Sequence, residues 1–437
     1  MSIYGAMISG VSGLKANSQS LGVISDNISN LNTIGYKETE SRFSTLVANA
    51  GGIKGAYSPG GVLASAVQRV DRQGVLQASD NGTDIAISGR GFFVVHENPD
   101  PAIGGSYLYT RAGQFSVDAD GYLVNTAGYY LQGWPTLGAG AYDVDQDGIA
   151  DAGNPDPTSL ASLSPVRVTA QSGTATATTQ VDLGLNLPAS AAVGDIETLT
   201  VRIYDSLGVG HNMALEWEKA VAAPATWDLN VSAITNAETG AASTSLVFPI
   251  NVDQVVFNGD GTPASFTPVP LSVPVANWAT GAATSTIAFN LGAANQANGI
   301  TQFASTYTIN SIAQDGVTFG RFQSIEMNAD GSVLALFDNG NRSMIYKLPV
   351  AVFSNPSAMR AASGNAWAET EQGGAVFLNP PGNGTAGTIA PATLEASTVD
   401  LGEEFTAMII TQRAFSAASK TITTADEMLE ELVRIKR

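Results

Sequence analysis

Matching apolar seams sit at the two ends of this chain, and they limit what the rest can fold into. Ile3, Met7, Gly10, Leu14, Asn17, Leu21, Ile24, Ile28 and Leu31 fall on a 3.5-residue period. So do Leu401, Phe405, Met408, Gln412, Phe415, Ser419, Ile422, Asp426, Leu429 and Val433. Seven of nine positions in the first set and seven of ten in the second are apolar, the repeat of a helix built to lie along another helix. All 19 prolines lie between Pro59 and Pro391, so neither end holds the residue that breaks helices. Asp400 followed by Glu403 suits a capped helix start. A helix packed on its own domain would account for the C-terminal pattern alone. The matching N-terminal pattern argues instead for a terminal coiled coil.

The first helix is unusual in charge. Its 31 residues hold only Lys15 and Asp26 as charged side chains, whereas an ordinary surface helix keeps charges on its wet face. It also carries Gly5, Gly10, Gly13 and Gly22, each costing about 1 kcal/mol relative to Ala. Such a helix needs neighbouring protein to order it. The start lacks the basic and continuous apolar regions of a secretory signal, and no stretch approaches the ~20 apolar residues of a membrane span.

Between the ends the pattern is β. Charged residues make up 14%, against the roughly 25% usual for soluble proteins, while 46 of 437 residues are glycine. Residues 38–70 read as a connector, with an apolar patch at Phe43, Leu46 and Val47 followed by a Gly-rich run. Strand-like runs flank Asp118-Ala-Asp-Gly121, and Asn328-Ala-Asp-Gly331 echoes that turn. One core domain, 71–145 plus 317–393, is therefore expected, split by an outer β domain at 146–316. The terminal helical domain takes 1–37 plus 394–437. Within the insertion, alternation at Val181–Leu187, Leu199–Ile203, Met213–Trp217 and Trp227–Val231 predicts strands, with Tyr204-Asp-Ser-Leu-Gly208 as a hairpin turn. The Ala/Thr/Asn-rich stretches near 170–180, 233–245 and 276–300 read as surface loops or weak strands. The fold class is mainly β with α-helical termini.

The chain offers little for catalysis. It has no cysteine and only His96 and His211, so thiol chemistry is excluded and any Ser–His–Asp arrangement must use one of the two. Structural roles are expected for both, no cofactor is expected, and nothing requires an enzyme. A net charge of −19 argues against nucleic acid as a partner. The exception is Asp143-Val-Asp-Gln-Asp-Gly-Ile-Ala-Asp151. Asp143, Asp145, Asp147 and Asp151 match the spacing of a calcium loop, although the twelfth position is Asn154 rather than a bidentate Glu.

The run Ser25-Asp-Asn-Ile-Ser-Asn-Leu-Asn-Thr-Ile-Gly-Tyr-Lys37 resembles the N-terminal signature of the bacterial flagellar axial proteins, the family of rod, hook and hook–filament junction. Leu394-Glu-Ala-Ser-Thr-Val-Asp-Leu401 and Met408-Ile-Ile-Thr-Gln-Arg-Ala-Phe415 resemble its C-terminal signature. Asp84-Ile-Ala-Ile-Ser-Gly-Arg-Gly-Phe-Phe-Val-Val95 and Tyr109-Thr-Arg-Ala-Gly-Gln-Phe115 resemble its shared core domain. The resemblance implies a hook subunit whose end helices line a tube and drive polymerisation. It also implies export through the flagellar type III apparatus without a signal peptide. The partners implied are identical subunits, the hook cap, the distal rod and the hook–filament junction proteins. A distal rod protein is the nearest alternative, disfavoured by this chain's length. A secreted calcium-dependent glycan-binding β protein is the alternative from another class.

Overall fold

Where the apolar repeat runs without proline, the backbone is helical: α1 spans Ile3–Ser29 and α2 spans Leu401–Ile435. Asp400 caps α2, its Oδ1 accepting from the Gly402 and Glu403 amides at 2.8 and 3.2 Å. That satisfies donors which the first helical turn leaves free. After α1 the chain turns sharply, and Gly35 takes a φ of +68°. A side chain at Gly35 would place its Cβ 2.7 Å from the Ala112 amide nitrogen, so this crossing of backbones requires glycine. The computed structural model describes residues 3–46, 61–137, 140–147, 149–151, 153–168, 175–267, 272–275 and 277–435.

The chain forms two compact units. The first comprises Met1–Ala170, Ile325–Ala335 and Ser343–Arg437, and so holds both helices together with core strands. In its sheet, Phe93–His96 lies between Tyr107–Thr110 and Tyr130–Leu137, antiparallel to both. Ala366–Ala368 pairs outside Tyr107–Thr110, while Tyr346 and Lys347 pair with Pro135 and Trp134. Strands from before and after the excursion thus share one sheet. Val94, Tyr109, Trp134, Phe353, Trp367 and Leu378 fill one core. The turns at 118–121 and 328–331 have the same bonding, closed by Asp118 N to Tyr122 O and by Asn328 N to Ser332 O.

The expected boundary at 146 moves to 171. Ser164 and Pro165 pair with Gly133 and Gln132, and Leu163, Val166 and Val168 are buried, so the polar loop after Tyr142 is a detour within the first unit. On the return side, Leu336–Arg342 belongs with the second unit. The connector also needs correcting. Thr39–Thr45 pairs with Val62–Gln68 in a seven-residue antiparallel hairpin that packs on α1. The Val62 amide's bond to Ser12 Oγ (3.2 Å) ties this hairpin to α1. Phe43 and Leu46 are exposed there, and Val47 lies outside the described residues.

The second unit, Gln171–Ser324 with Leu336–Arg342, contains a five-strand meander over Ile196–Tyr204, Gly210–Val221, Thr226–Asn236, Ile250–Phe257 and Pro263–Thr267. Its four-stranded sheet runs Ser272–Val275, Ser285–Asn290, Gln180–Asn186, Thr308–Gln314. The alternate residues named above (Val181 to Leu187, Leu199 to Ile203, Met213 to Trp217, Trp227 to Val231) form its core. The stretch 276–300 is not merely surface. Trp278, Ile287, Phe289 and Leu291 are buried, their short alternation masked in sequence by flanking Ala, Thr and Asn.

Candidate functional site

The end helices pack as an antiparallel pair. Gly10 of α1 faces Ile422 of α2, where an added Cβ would lie 2.8 Å from the Ile422 Cγ1, and Gly13 faces Ala418. Nearer the other end Asn27 meets Glu404. Gly10, which weakens α1 as a lone helix, thus permits close approach of its partner, whereas Gly13 makes ordinary contact and Gly22 faces nothing within 4 Å. On α1, Ile24 is buried, while Met7, Leu14, Leu21 and Ile28 are half-buried; Leu31, also half-buried, lies past the helix end in the following turn, and the side chain of Ile3 lies outside the described residues. On α2 the inward face consists of Glu404, Met408, Thr411, Ala418, Ile422, Ala425 and Leu429, buried or half-buried. Four residues expected in that seam, Leu401, Phe405, Phe415 and Val433, are instead exposed in the single chain. The helices come closest where Gly10 faces Ile422, and bulky side chains of the same repeat stay outside.

These outward residues form apolar stripes. Tyr4, Ile8 and Val11 are exposed on α1, Ile8 by 60%, and with Met7, Ser12 and Lys15 they line an open groove. On α2, Phe405, Ile409, Ile410 and Phe415 are exposed, Ile410 by 63%. Exposed apolar side chains grouped in this way favour a contact with another surface.

Below the pair, polar groups lock the ends to the core. Asn27 is buried with its amide fully used. Its Nδ2 donates to Glu404 Oε1 (2.6 Å) and Thr39 O (2.9 Å), and its Oδ1 accepts from the Thr39 amide and the Tyr36 hydroxyl. Burial first, then the Asp26 carboxylate, pushes the Tyr36 phenol up to about 12, so it remains a donor. Burial also raises Glu404, against the lowering effect of Asn27.

Deeper still, Glu395 joins two cations. Lys37 Nζ lies 2.5 Å from its Oε1 and Arg111 Nη1 lies 3.1 Å from its Oε2. The Gly74 amide donates to Oε1, Lys37 also donates to Arg72 O, and Arg111 to the Ile87 and Gly89 carbonyls. All three side chains are buried. Burial draws Lys37 and Arg111 below their ordinary ranges, opposed by Glu395. Sequence reasoning missed this cluster. Each of the three residues lies in a different motif, at Tyr36-Lys37, Thr110-Arg111 and Leu394-Glu395, and nothing in one motif points to the others.

Elsewhere, Asp143, Asp145 and Asp147 bring carboxylate oxygens within 4.8 Å of one another. Asp151 does not join them; its Oδ2 accepts from the Val144 amide at 2.7 Å. Asp143 and Asp145 also accept from the Asp147 amide, so the loop is a series of Asx turns; Gly148 lies outside the described residues. In the second unit His211 Nδ1 lies 2.7 Å from Ser243 Oγ, and its Nε2 lies 3.1 Å from Asp205 Oδ2. The ring is reversed relative to a hydrolytic triad, in which Nε2 serves the hydroxyl. All three residues are buried, and Thr280, Leu207 and Val209 complete the Asp205 shell, so the arrangement pins a hairpin turn. His96 Nδ1 likewise bonds the Asn98 backbone.

Four family models match. They are "Flagella basal body rod protein" over 7–37, "Flagellar hook protein FlgE/F/G D1 domain" over 86–159, "Flagellar basal body protein FlaE D2 domain" over 186–317, and "Flagellar basal body rod FlgEFG protein C-terminal" over 390–435. The flagellar hook protein FlgE of Caulobacter vibrioides is 31% identical over a 603-residue alignment covering 100% of each chain. That of Brucella suis is 34% identical over 442 residues, again 100% of each. The crystal structure of Helicobacter pylori flagellar hook protein FlgE2 aligns over 73% of this chain and 100% of its own, at 15% identity and a TM-score of 0.49. With hook proteins matching it from end to end, and with both terminal signatures and the core signature joined at Glu395, this chain belongs to the flagellar hook protein FlgE family.

Proposed function

We propose that this chain is the structural subunit of a bacterial flagellar hook, polymerising into a curved, flexible tube that joins rod to filament and transmits torque. The observation that carries this reading is the helix pair. Its inner face takes only part of the apolar repeat, while Tyr4, Ile8, Val11, Phe405, Ile410 and Phe415 remain outside. In the polymer the paired helices act as a coiled coil whose outer stripes are covered by neighbouring copies. The hook cap, distal rod and junction proteins are the further partners, met outside the cell after type III export. The full-length match to hook proteins favours this reading over a distal rod protein and over a glycan-binding protein. No described helix is long and apolar enough to cross a membrane. Electron microscopy of the purified chain under polymerising conditions tests the proposal. Tubes are expected, and a chain that stays monomeric at every concentration and salt would contradict it.

A calcium ion at Asp143, Asp145 and Asp147 is a separate reading, favoured by the convergence of their carboxylates. Calcium should then raise the melting temperature by mass action, and Asp145→Ala with Asp147→Ala should abolish the gain. Titration calorimetry without heat at millimolar calcium would leave the loop as a plain turn.

A further inference from the structure

Beside the buried cluster, the first unit holds a cavity of about 650 Å³. Phe92, Phe353, Phe377 and Val352 give it apolar walls, and Arg90 and Arg111 give it charge. Arg90 stands between Gly89 and Gly91, whose φ angles of +109° and +117° are open to glycine. A Cβ at Gly91 would fall 2.1 Å from Val350 Cγ1. The turn therefore runs against the cavity wall and exposes the Arg90 side chain at the rim, with no acceptor among the described residues. Underneath, Lys37 and Arg111 share the single carboxylate of Glu395, which leaves one buried positive charge over. The Arg111 Nε is also buried without an acceptor. Asp71 is the one carboxylate among the lining residues, and it already faces Arg69 at 3.6 Å.

We infer that this cavity is a docking pocket for an acidic side chain with apolar neighbours, supplied by a second copy of this chain. Charge complementarity carries the assignment, because an unpaired arginine above a buried excess cation attracts a carboxylate. The chain's own undescribed segments do not supply one. Residues 47–60 contain Lys54 and neither Asp nor Glu, and none of the shorter undescribed segments holds an acidic side chain. A second copy brings 39 acidic residues at a net charge of −19. The inference rests on the proposed polymer and adds to it a contact far in sequence from the end helices.

The test compares wild type with Arg90→Glu, Arg90→Ala and Arg90→Lys as full-length chains. Arg90 is exposed, so all four monomers should share one circular dichroism spectrum and melting temperature. Arg90→Glu should raise the concentration needed for tubes by about tenfold or more, and Arg90→Ala by about two- to fivefold. In tubes of Arg90→Lys, carbodiimide should couple the new amine to a carboxylate of another copy, identified by peptide mass spectrometry. Wild-type tubes together with unimpaired Arg90→Glu tubes would overturn the pocket alone. Coupling only within one chain would overturn the second copy as occupant. Absence of tubes from wild type would overturn the subunit reading, and the pocket with it.

Discussion

At Glu395 one carboxylate holds two buried cations, and the imbalance predicts an order among variants. Glu395→Ala strands Lys37 and Arg111 without a counter-charge, and removing one partner from a buried ion cluster costs about 3–5 kcal/mol. Lys37→Met leaves Arg111 and Glu395 as a balanced pair and should cost clearly less. Urea melts of the three chains check this, and equal losses would contradict the charge argument. Glu404 supplies a pH prediction of the opposite kind. Its pKa is raised, so the folded chain holds this proton at a pH where the unfolded chain has released it. Its contribution is therefore unfavourable above the folded pKa, and is relieved as pH falls through that value towards the unfolded one. Glu404→Gln keeps an acceptor for Asn27 and removes the titration. It should be more stable than wild type at neutral pH, and the two should converge as the carboxylate range is entered. Taking the difference between the two chains cancels the lowered groups Asp205 and Asp330, which lose stability on acidification. A constant difference across pH would refute the assignment.

At the scale of elements, the two helices separate an inner face from an outer one, and the faces predict different phenotypes. Phe415→Glu or Ile8→Glu places a charge on exposed surface, and should leave the monomer's unfolding free energy within about 0.5 kcal/mol of wild type while abolishing tubes. Gly10→Val drives a side chain into Ile422, and should loosen the pair wherever it forms, visible as faster amide exchange along both helices in assembled tubes. Both helices were legible from period and proline placement, because a 3.5-residue repeat fixes the element. The repeat did not tell which apolar residues face inward. That choice was made at the Gly10 crossing, and a glycine signals close approach without naming its partner. In the same way, the alternation at Met213–Trp217 identified a core strand, whereas the short run around Ile287 lay hidden among Ala and Asn. Glu395 escaped because its partners are distant in sequence, 358 residues away at Lys37 and 284 at Arg111, and a single sequence does not report such pairing.

At the scale of the whole molecule, the account is that the chain's ends are completed by other copies. The inner seam leaves most of its apolar side chains only half-buried, and α1 has glycines where an isolated helix would have better helix formers, so the pair alone has little with which to offset its ordering entropy. The outer stripes hold the remaining apolar surface. Hydrogen exchange, followed peptide by peptide in the monomer and again in the assembled tube, tests this most directly. Fast exchange is expected over 3–31 and 401–435 in the monomer beside slow exchange in the core strands. Protection should appear at both ends once tubes form. Full protection of both ends in the isolated monomer, unchanged on assembly, would contradict it.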